Sequence, residues 1–361
     1  MRATVDSALA WRMRRHFLGA ERASSVEEVV GRLVAVPSWS GDAELAVGLR
    51  LERPEPGAVA TAFEQGRLIR TFAFRGGMNY FTPADAGVHS ALRTIGRQWE
   101  LSSWREHYGL EPEDWPNLRA AVRDAVAGGG LTPQELAATV AAQPRFAHLA
   151  AALTSFTFLK PFAWQGDLSL GPSRDGEVVL QSLAHAPGWA GIPPVDEAGP
   201  RAIEGYLSAY GPATEANLHY WLGEGLSAGK KNITRWIGEL RRDRVVALQV
   251  DGVDTLCLAE HADEIAQTTP SDEVQLLPGH DQWVLGPGTA DTRVVPSAHR
   301  AAVTRGANLV IAGGRVAGAW KLTKDAVVVT TFDGRALPVT ELTTAVDRIA
   351  TVLDRPLTVA Y

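Results

Sequence analysis

Cysteine is what this sequence has least of. Cys257 is the one cysteine among 361 residues, which excludes an internal disulfide and a cysteine-built metal site. It sits in the apolar run Leu256-Cys257-Leu258 and is expected to be a buried thiol that packs as a small hydrophobe. No stretch approaches the roughly 18 consecutive apolar residues of a membrane span. The N-terminal residues mix Ala and Trp with Arg12, Arg14 and Arg15, and no apolar h-region of a signal peptide follows. The nine histidines show no H-x-x-x-H spacing, and no P-loop, dinucleotide fingerprint or G-x-S-x-G elbow is present. No metal or cofactor is therefore expected. Positive charge is not in excess either: the net charge is −6, so nucleic-acid binding would have to rest on local patches. What the chain does have is 45% hydrophobic residues, with 11 Trp, 10 Phe and 6 Tyr. That is enough for large cores in two or three domains. A cytoplasmic monomer is the default expectation.

Helix starts are legible along the chain. Ser24-Ser25-Val26-Glu27-Glu28 and Thr132-Pro133-Gln134-Glu135 both have a hydroxyl N-cap followed by a carboxylate. Residues 7–19, 84–98 and 116–127 read as helices, and residues 68–74 as a strand. Further strands are predicted at 161–170 and 177–183, and 185–200 reads as a Gly/Pro/Ala linker. The clearest unit follows. A helix at 200–210 precedes a second that begins at Pro212-Ala213-Thr214-Glu215 and runs to Leu222. Gly223-Glu224-Gly225 makes a turn, and 226–242 is a third helix. Val245–Val250 and Val253–Leu258 then flank Asp251-Gly252, a strong hairpin signal. Helix, helix, turn, helix, hairpin is the order of a winged helix, a helix-turn-helix with a β-wing. It recurs loosely at 130–183 and 24–82. After about residue 270, short apolar runs with Gly-rich turns predict a small sheet or barrel, closed by an amphipathic helix at 338–354. The expected fold is α+β: tandem winged-helix modules at 1–96, 97–184 and 200–262, a linker at 185–199, and a β-barrel-like domain at 263–361.

The third helix of the clearest unit is the natural recognition helix. Leu226, Ile233, Ile237 and Leu240 mark its core face. Lys230, Lys231, Thr234 and Arg235 lie elsewhere on it, and Arg241, Arg242 and Arg244 follow. Residues 226–244 hold six basic and two acidic side chains, a local net of +4 in an acidic chain. Basic residues on a helix beside a wing suit phosphate contacts in a major groove. The same charges also suit a solvated face whose C-terminal arginines complement the helix dipole. Arg12 and Arg15 form a second, weaker basic cluster.

Five segments, in order over nearly the whole chain, resemble the AlkZ/YcaQ-like family of winged-helix DNA glycosylases, the first of them the opening helix of its actinobacterial members. They are Trp11-Arg12-Met13-Arg14-Arg15-His16-Phe17-Leu18; Arg70-Thr71-Phe72-Ala73-Phe74-Arg75-Gly76-Gly77-Met78-Asn79, against R-T-x-x-x-R-G-T-x-H; Tyr210-Gly211-Pro212-Ala213-Thr214; Leu276-Leu277-Pro278-Gly279-His280-Asp281-Gln282-Trp283-Val284-Leu285-Gly286, against L-L-P-x-x-D-x-[YW]-x-L-G; and Gly314-Arg315-Val316-Ala317-Gly318-Ala319-Trp320-Lys321. The resemblance implies winged helices around a small barrel, a concave DNA-binding surface, and removal of alkylated or bulky adducted bases by hydrolysis of the N-glycosidic bond. It places Arg75, Asn79, His280, Asp281 and Trp283 at a pocket. Damaged or adducted duplex DNA would be the partner, in the nucleoid.

One departure bears on chemistry. The family carries a Gln-x-Gln or Gln-x-Asp pair after its second helix, and the corresponding positions here read as Val34 and Val36. Valine cannot orient water or stabilise a cationic sugar, and losing one such group costs about 10²–10³ in rate. Gly77 and Asn79 also replace the motif's Thr and His. Asp42, Glu44 and Asp281 are the carboxylates that could substitute as base or electrostatic stabiliser. The expected function is a DNA-binding relative of the glycosylases with a degenerate centre. The alternatives are an active glycosylase using a displaced carboxylate, and a non-catalytic regulatory protein that binds a ligand in the barrel cleft.

Overall fold

A computed structural model of the protein describes residues 1–224 and 227–360; Gly225, Leu226, Tyr361 and the Arg75 side chain lie outside the described residues. The turn and core positions expected at Gly225 and Leu226, and the pocket role expected of Arg75, therefore fall outside that description. The chain forms two compact units, one of Met1–Ala62, Ile203–Trp221 and Thr234 onward, the other of Phe63–Ala202 and Leu222–Ile233.

The first unit is built on a helix and an open sheet. The helix Val5–Arg15 starts where the Thr4 side chain accepts from the Ser7 amide, one of the amides that the helix start leaves without a partner. Its Leu9 and Met13 are buried with residues of the C-terminal sheet, including Leu276, Ile311 and Trp320. That sheet is a half-barrel of five strands in the order Thr358–Ala360, Ala326–Thr331, Arg315–Leu322, Asn308–Ala312, Val274–Leu277, antiparallel except for the first pair. The helix Val339–Val352 packs Leu342, Val346 and Ile349 into the same core. The predicted hairpin forms in register, Val245 opposite Leu258 and Val250 opposite Val253. Arg2–Ala3 adds a parallel strand to its edge. Cys257 is buried there, and burial pushes its thiol up to about 11.

In the second unit, Ile69–Ala73 pairs with Gly77–Phe81 and, through Arg70 and Leu170, with Ser169–Arg174, which pairs with Glu177–Gln181. The helix Pro133–Ala141 begins with the expected capping box between Thr132 and Glu135. Most of the strand predicted at 161–170 is absent: residues 161–164 are the end of a helix, Phe156–Trp164, residues 165–168 are a turn, and strand begins only at Ser169. Phe158, Leu159, Phe162, Ala163 and Trp164 are all buried, so apolar residues face nearly every side and no period separates helix from strand. The predicted linker is also shorter, because the helix Val195–Tyr210 begins inside it.

The order helix, short helix, helix, hairpin follows from residue 195. Thr214 caps Glu215–Leu218, a π-helical turn covers His219–Gly223, and the helix Gly229–Leu240 leads into the hairpin. Among the described residues, no helix is long and apolar enough to cross a membrane.

Candidate functional site

The segment after the helix Val26–Arg32 carries the two valines. Ser25 caps that helix on the Glu28 amide. Leu33 follows the last turn, and Val34 takes a left-handed backbone, φ 68°. A β-branched residue is strained there, and the turn breaks the alternation that would put residues 34 and 36 on one face. Val36 lines a cavity of ≈ 10 Å³ together with Leu33, Ser40, Asp42, His280, Asp281 and Gln282, room for about one water. Val34 is not among the lining residues. One of its methyl groups lies 4.0 Å from where a Cβ would stand on Gly205. Both positions are buried, and of the two Val36 is the one that lines the cavity.

Each carboxylate that could have replaced a lost polar group already has structural partners. Asp281 accepts from Arg50 at 2.7 and 2.8 Å and from the Trp283 amide at 2.8 Å, and both ion-pair side chains are fully buried. Arg50 also donates to the carbonyls of Ala46 and His16. Asp42 caps Ala43–Gly48, accepting from the Leu45 amide at 2.9 Å. Glu44 accepts from the amides of Val59 and Ala60 at 3.0 and 2.8 Å, at the start of Ala58–Glu64. The chemistry expected of these three is not favoured by their surroundings, because their oxygens stabilise helix starts and a buried guanidinium.

Two buried polar atoms lack such partners, one on a residue that lines the cavity and one two residues after Val36, and sequence reasoning missed both. Gln282 donates from Nε2 to the Ala35 carbonyl at 2.5 Å, while its Oε1 is buried with no partner. Ser38 Oγ, two residues after Val36, is buried without a partner as well. A buried unpaired acceptor costs about 1–3 kcal/mol, so an ordered water is its natural complement. The signal for Ser38 was its i+2 spacing from Val36; nothing in the sequence pointed Gln282 at residue 35.

The remaining pocket residues separate. His280 and Trp283 belong with Asp281. Trp283 is fully buried and donates from Nε1 to the Gly314 carbonyl. His280 is half-buried, with its Nδ1 against the Ser40 hydroxyl and its Nε2 3.3 Å from the Thr304 carbonyl. Asn79 lies in the second unit, buried on Gly77–Phe81, and donates to its neighbour Gly77.

The helix Gly229–Leu240 presents the basic residues as expected. Ile233, Trp236, Ile237 and Leu240 are buried, a spacing of three, one and three. Lys230, Lys231, Thr234 and Arg235 are all exposed and share one face by their i, i+3 and i, i+4 spacing. Arg235 pairs with Glu239 at 2.9 Å and Arg241 with Glu215 at 3.1 Å. Arg242 is exposed at the helix end. Arg12 is different. It is 2% exposed, donates to the Tyr210 carbonyl at 2.7 Å, and burial pushes its guanidinium down to about 10. Its expected phosphate contact does not fit that burial. Half-buried Arg15 donates to the Ser208 carbonyl and hydroxyl, which leaves it a minor candidate.

Comparison with known proteins places this geometry. The family described as "DNA glycosylase AlkZ-like" matches residues 6–353. An interstrand DNA cross-link repair glycosylase of Streptomyces sahachiroi is 37% identical over 350 residues, 94% of each chain. The solved structure of the Streptomyces sahachiroi DNA glycosylase AlkZ superposes with a TM-score of 0.91 at 34% identity, covering all of both chains.

Proposed function

Since the chain belongs to the AlkZ-like DNA glycosylase family, we propose that it binds duplex DNA on the scaffold of that family and that its base-excision centre is degenerate. The modules at 24–82, 130–183 and 200–262 are read as winged helices, and Gly229–Leu240 as the helix that meets phosphates. The partner is damaged DNA, adducted or cross-linked as for the relative, bound by a monomer in the nucleoid. One observation carries the loss of chemistry: the cavity floor at residue 36 is an aliphatic side chain, and the neighbouring carboxylates are held in capping and ion-pair roles. A group that cannot accept a hydrogen bond cannot hold the attacking water or offset charge on the sugar.

A second reading, an active glycosylase, is favoured by Gln282, which lines the cavity and whose Oε1 is buried without a partner. On that reading an amide would hold the water in place of the carboxylates proposed from sequence.

One assay separates the two. Duplex DNA with N-alkylated bases or an interstrand cross-link is incubated with the protein, and abasic sites are counted against a protein-free control. The expected result is no release above control for the parent and detectable release for Val36→Gln. Release by the parent that Gln282→Leu abolishes would replace the first reading with the second.

A further inference from the structure

Beside the water-sized cavity, and sharing His280 and Ser40 with its wall, the first unit carries an exposed aromatic side chain that does not line the cavity. Trp39 is the single aromatic among the exposed large apolar residues described, 49% exposed. Its indole lies against the His280 ring, centroids 5.3 Å apart and planes 37° apart. The imidazole is held on both nitrogens, by Ser40 and by the Thr304 carbonyl. Its backbone is also fixed in a left-handed conformation, φ 58°, a state that persists in a non-glycine residue only where its surroundings enforce it. The enforcement is visible in the loops. A Cβ on Gly41 would lie 2.5 Å from the Gly279 carbonyl oxygen, and one on Gly279 would lie 2.1 Å from that of Gly306. Three backbone segments therefore touch directly, and they fix the ring beneath Trp39.

His280, with Ser40 and Gly41 of the same loop as Trp39, also lines a cleft of ≈ 290 Å³ together with Asp42, Arg305 and Asn308. Arg305 is exposed, and its guanidinium has no ion-pair partner among the described residues. An exposed indole on a rigid ring, with an unpaired cation and a base-sized recess on the other residues that surround that ring, has the parts of a stacking site for single-stranded nucleotides: a π-face for the base and a charge for its phosphate.

We propose that Trp39, supported by His280, stacks against a nucleobase displaced from the duplex, with Arg305 taking a flanking phosphate. The inference rests on the DNA-binding reading and adds that the protein discriminates unpaired from paired bases. An extruded base must find a new stacking partner, and an exposed indole supplies one that tolerates any base.

The test uses the full chain and fluorescently labelled duplexes, one fully paired and one with a single-base bulge, titrated by anisotropy. The parent is expected to bind the bulged duplex about tenfold more tightly, the size of one base–aromatic stack. Trp39→Ala should erase that ratio and leave affinity for the paired duplex unchanged, whereas Trp39→Phe should keep most of the ratio. Arg305→Ala should flatten the salt dependence by about 0.9 in slope, the share of a single neutralised phosphate. An unchanged ratio in Trp39→Ala, or equal binding of both duplexes by the parent, overturns the stacking site while DNA binding stands. No binding of either duplex overturns both.

Discussion

The loops around Val36 and the helix Gly229–Leu240 both carry charged residues in segments that resemble a DNA-processing protein, and they hold that charge in opposite ways. Around Val36 the charge is satisfied internally. Arg50 and Asp281 are fully buried against each other, and Asp42 and Glu44 satisfy helix amides. On the helix, Lys230 and Lys231 stand in solvent, where an ammonium keeps its hydration and is free to meet a phosphate. A charge in a family motif thus says little about chemistry until its partners are known. Exposure without a partner is the property that leaves a group available.

The sharpest way to break this contrast is to remove one buried partner. Asp281→Ala leaves the Arg50 guanidinium buried and unpaired, and should cost about 3–5 kcal/mol in chemical denaturation. A loss below about 1 kcal/mol would mean that Asp281 is not structural and would return it to the candidates for catalysis.

The next effect concerns buried histidines, one in each unit. Burial, helped by Arg201, pushes His89 down to about 3, and burial with Arg50 and Arg12 pushes His16 well below its ordinary value. Both are neutral when folded but take up a proton near pH 6.5 when unfolded. The unfolded chain therefore binds more protons at acid pH, and stability must fall as pH drops below about 6.5. The fall is about 1.4 kcal/mol per pH unit for each such group, and for His89 it continues until its folded value near 3 is reached. In urea melts between pH 7 and 5, His89→Phe should lose about 2 kcal/mol less stability than the parent over that range; superimposable pH dependences would count against a buried neutral ring.

The smallest effect on stability, within about 0.5 kcal/mol, is expected for Lys230→Glu with Lys231→Glu. DNA binding is where that double variant should differ. The slope of log affinity against log salt should flatten by about 0.9 for each phosphate no longer neutralised. Identical slopes in parent and variant would remove this helix from the interface.

Much of the fold was readable because it is written in short-range chemistry. The Asp251-Gly252 hairpin and the Thr132–Glu135 capping box depend on neighbours a few residues apart. The helix Phe156–Trp164 was misread where burial on all sides erased the period. The site was harder to read. Val34 and Val36 look equivalent as letters, but Val34 takes a left-handed backbone and of the two it is Val36 that lines the cavity. Arg50 attracted no notice, because its partner Asp281 is 231 residues away.

The amino-acid sequence by itself determined the family, through ordered motifs spread over the chain, and the basic face of one helix, since a 3.6-residue period sorts apolar from charged side chains without outside help. Tertiary structure alone decided which polar atoms are free. Whether a carboxylate caps a helix, pairs with a distant guanidinium or faces a cavity depends on what the fold brings beside it, and no local pattern encodes that neighbour.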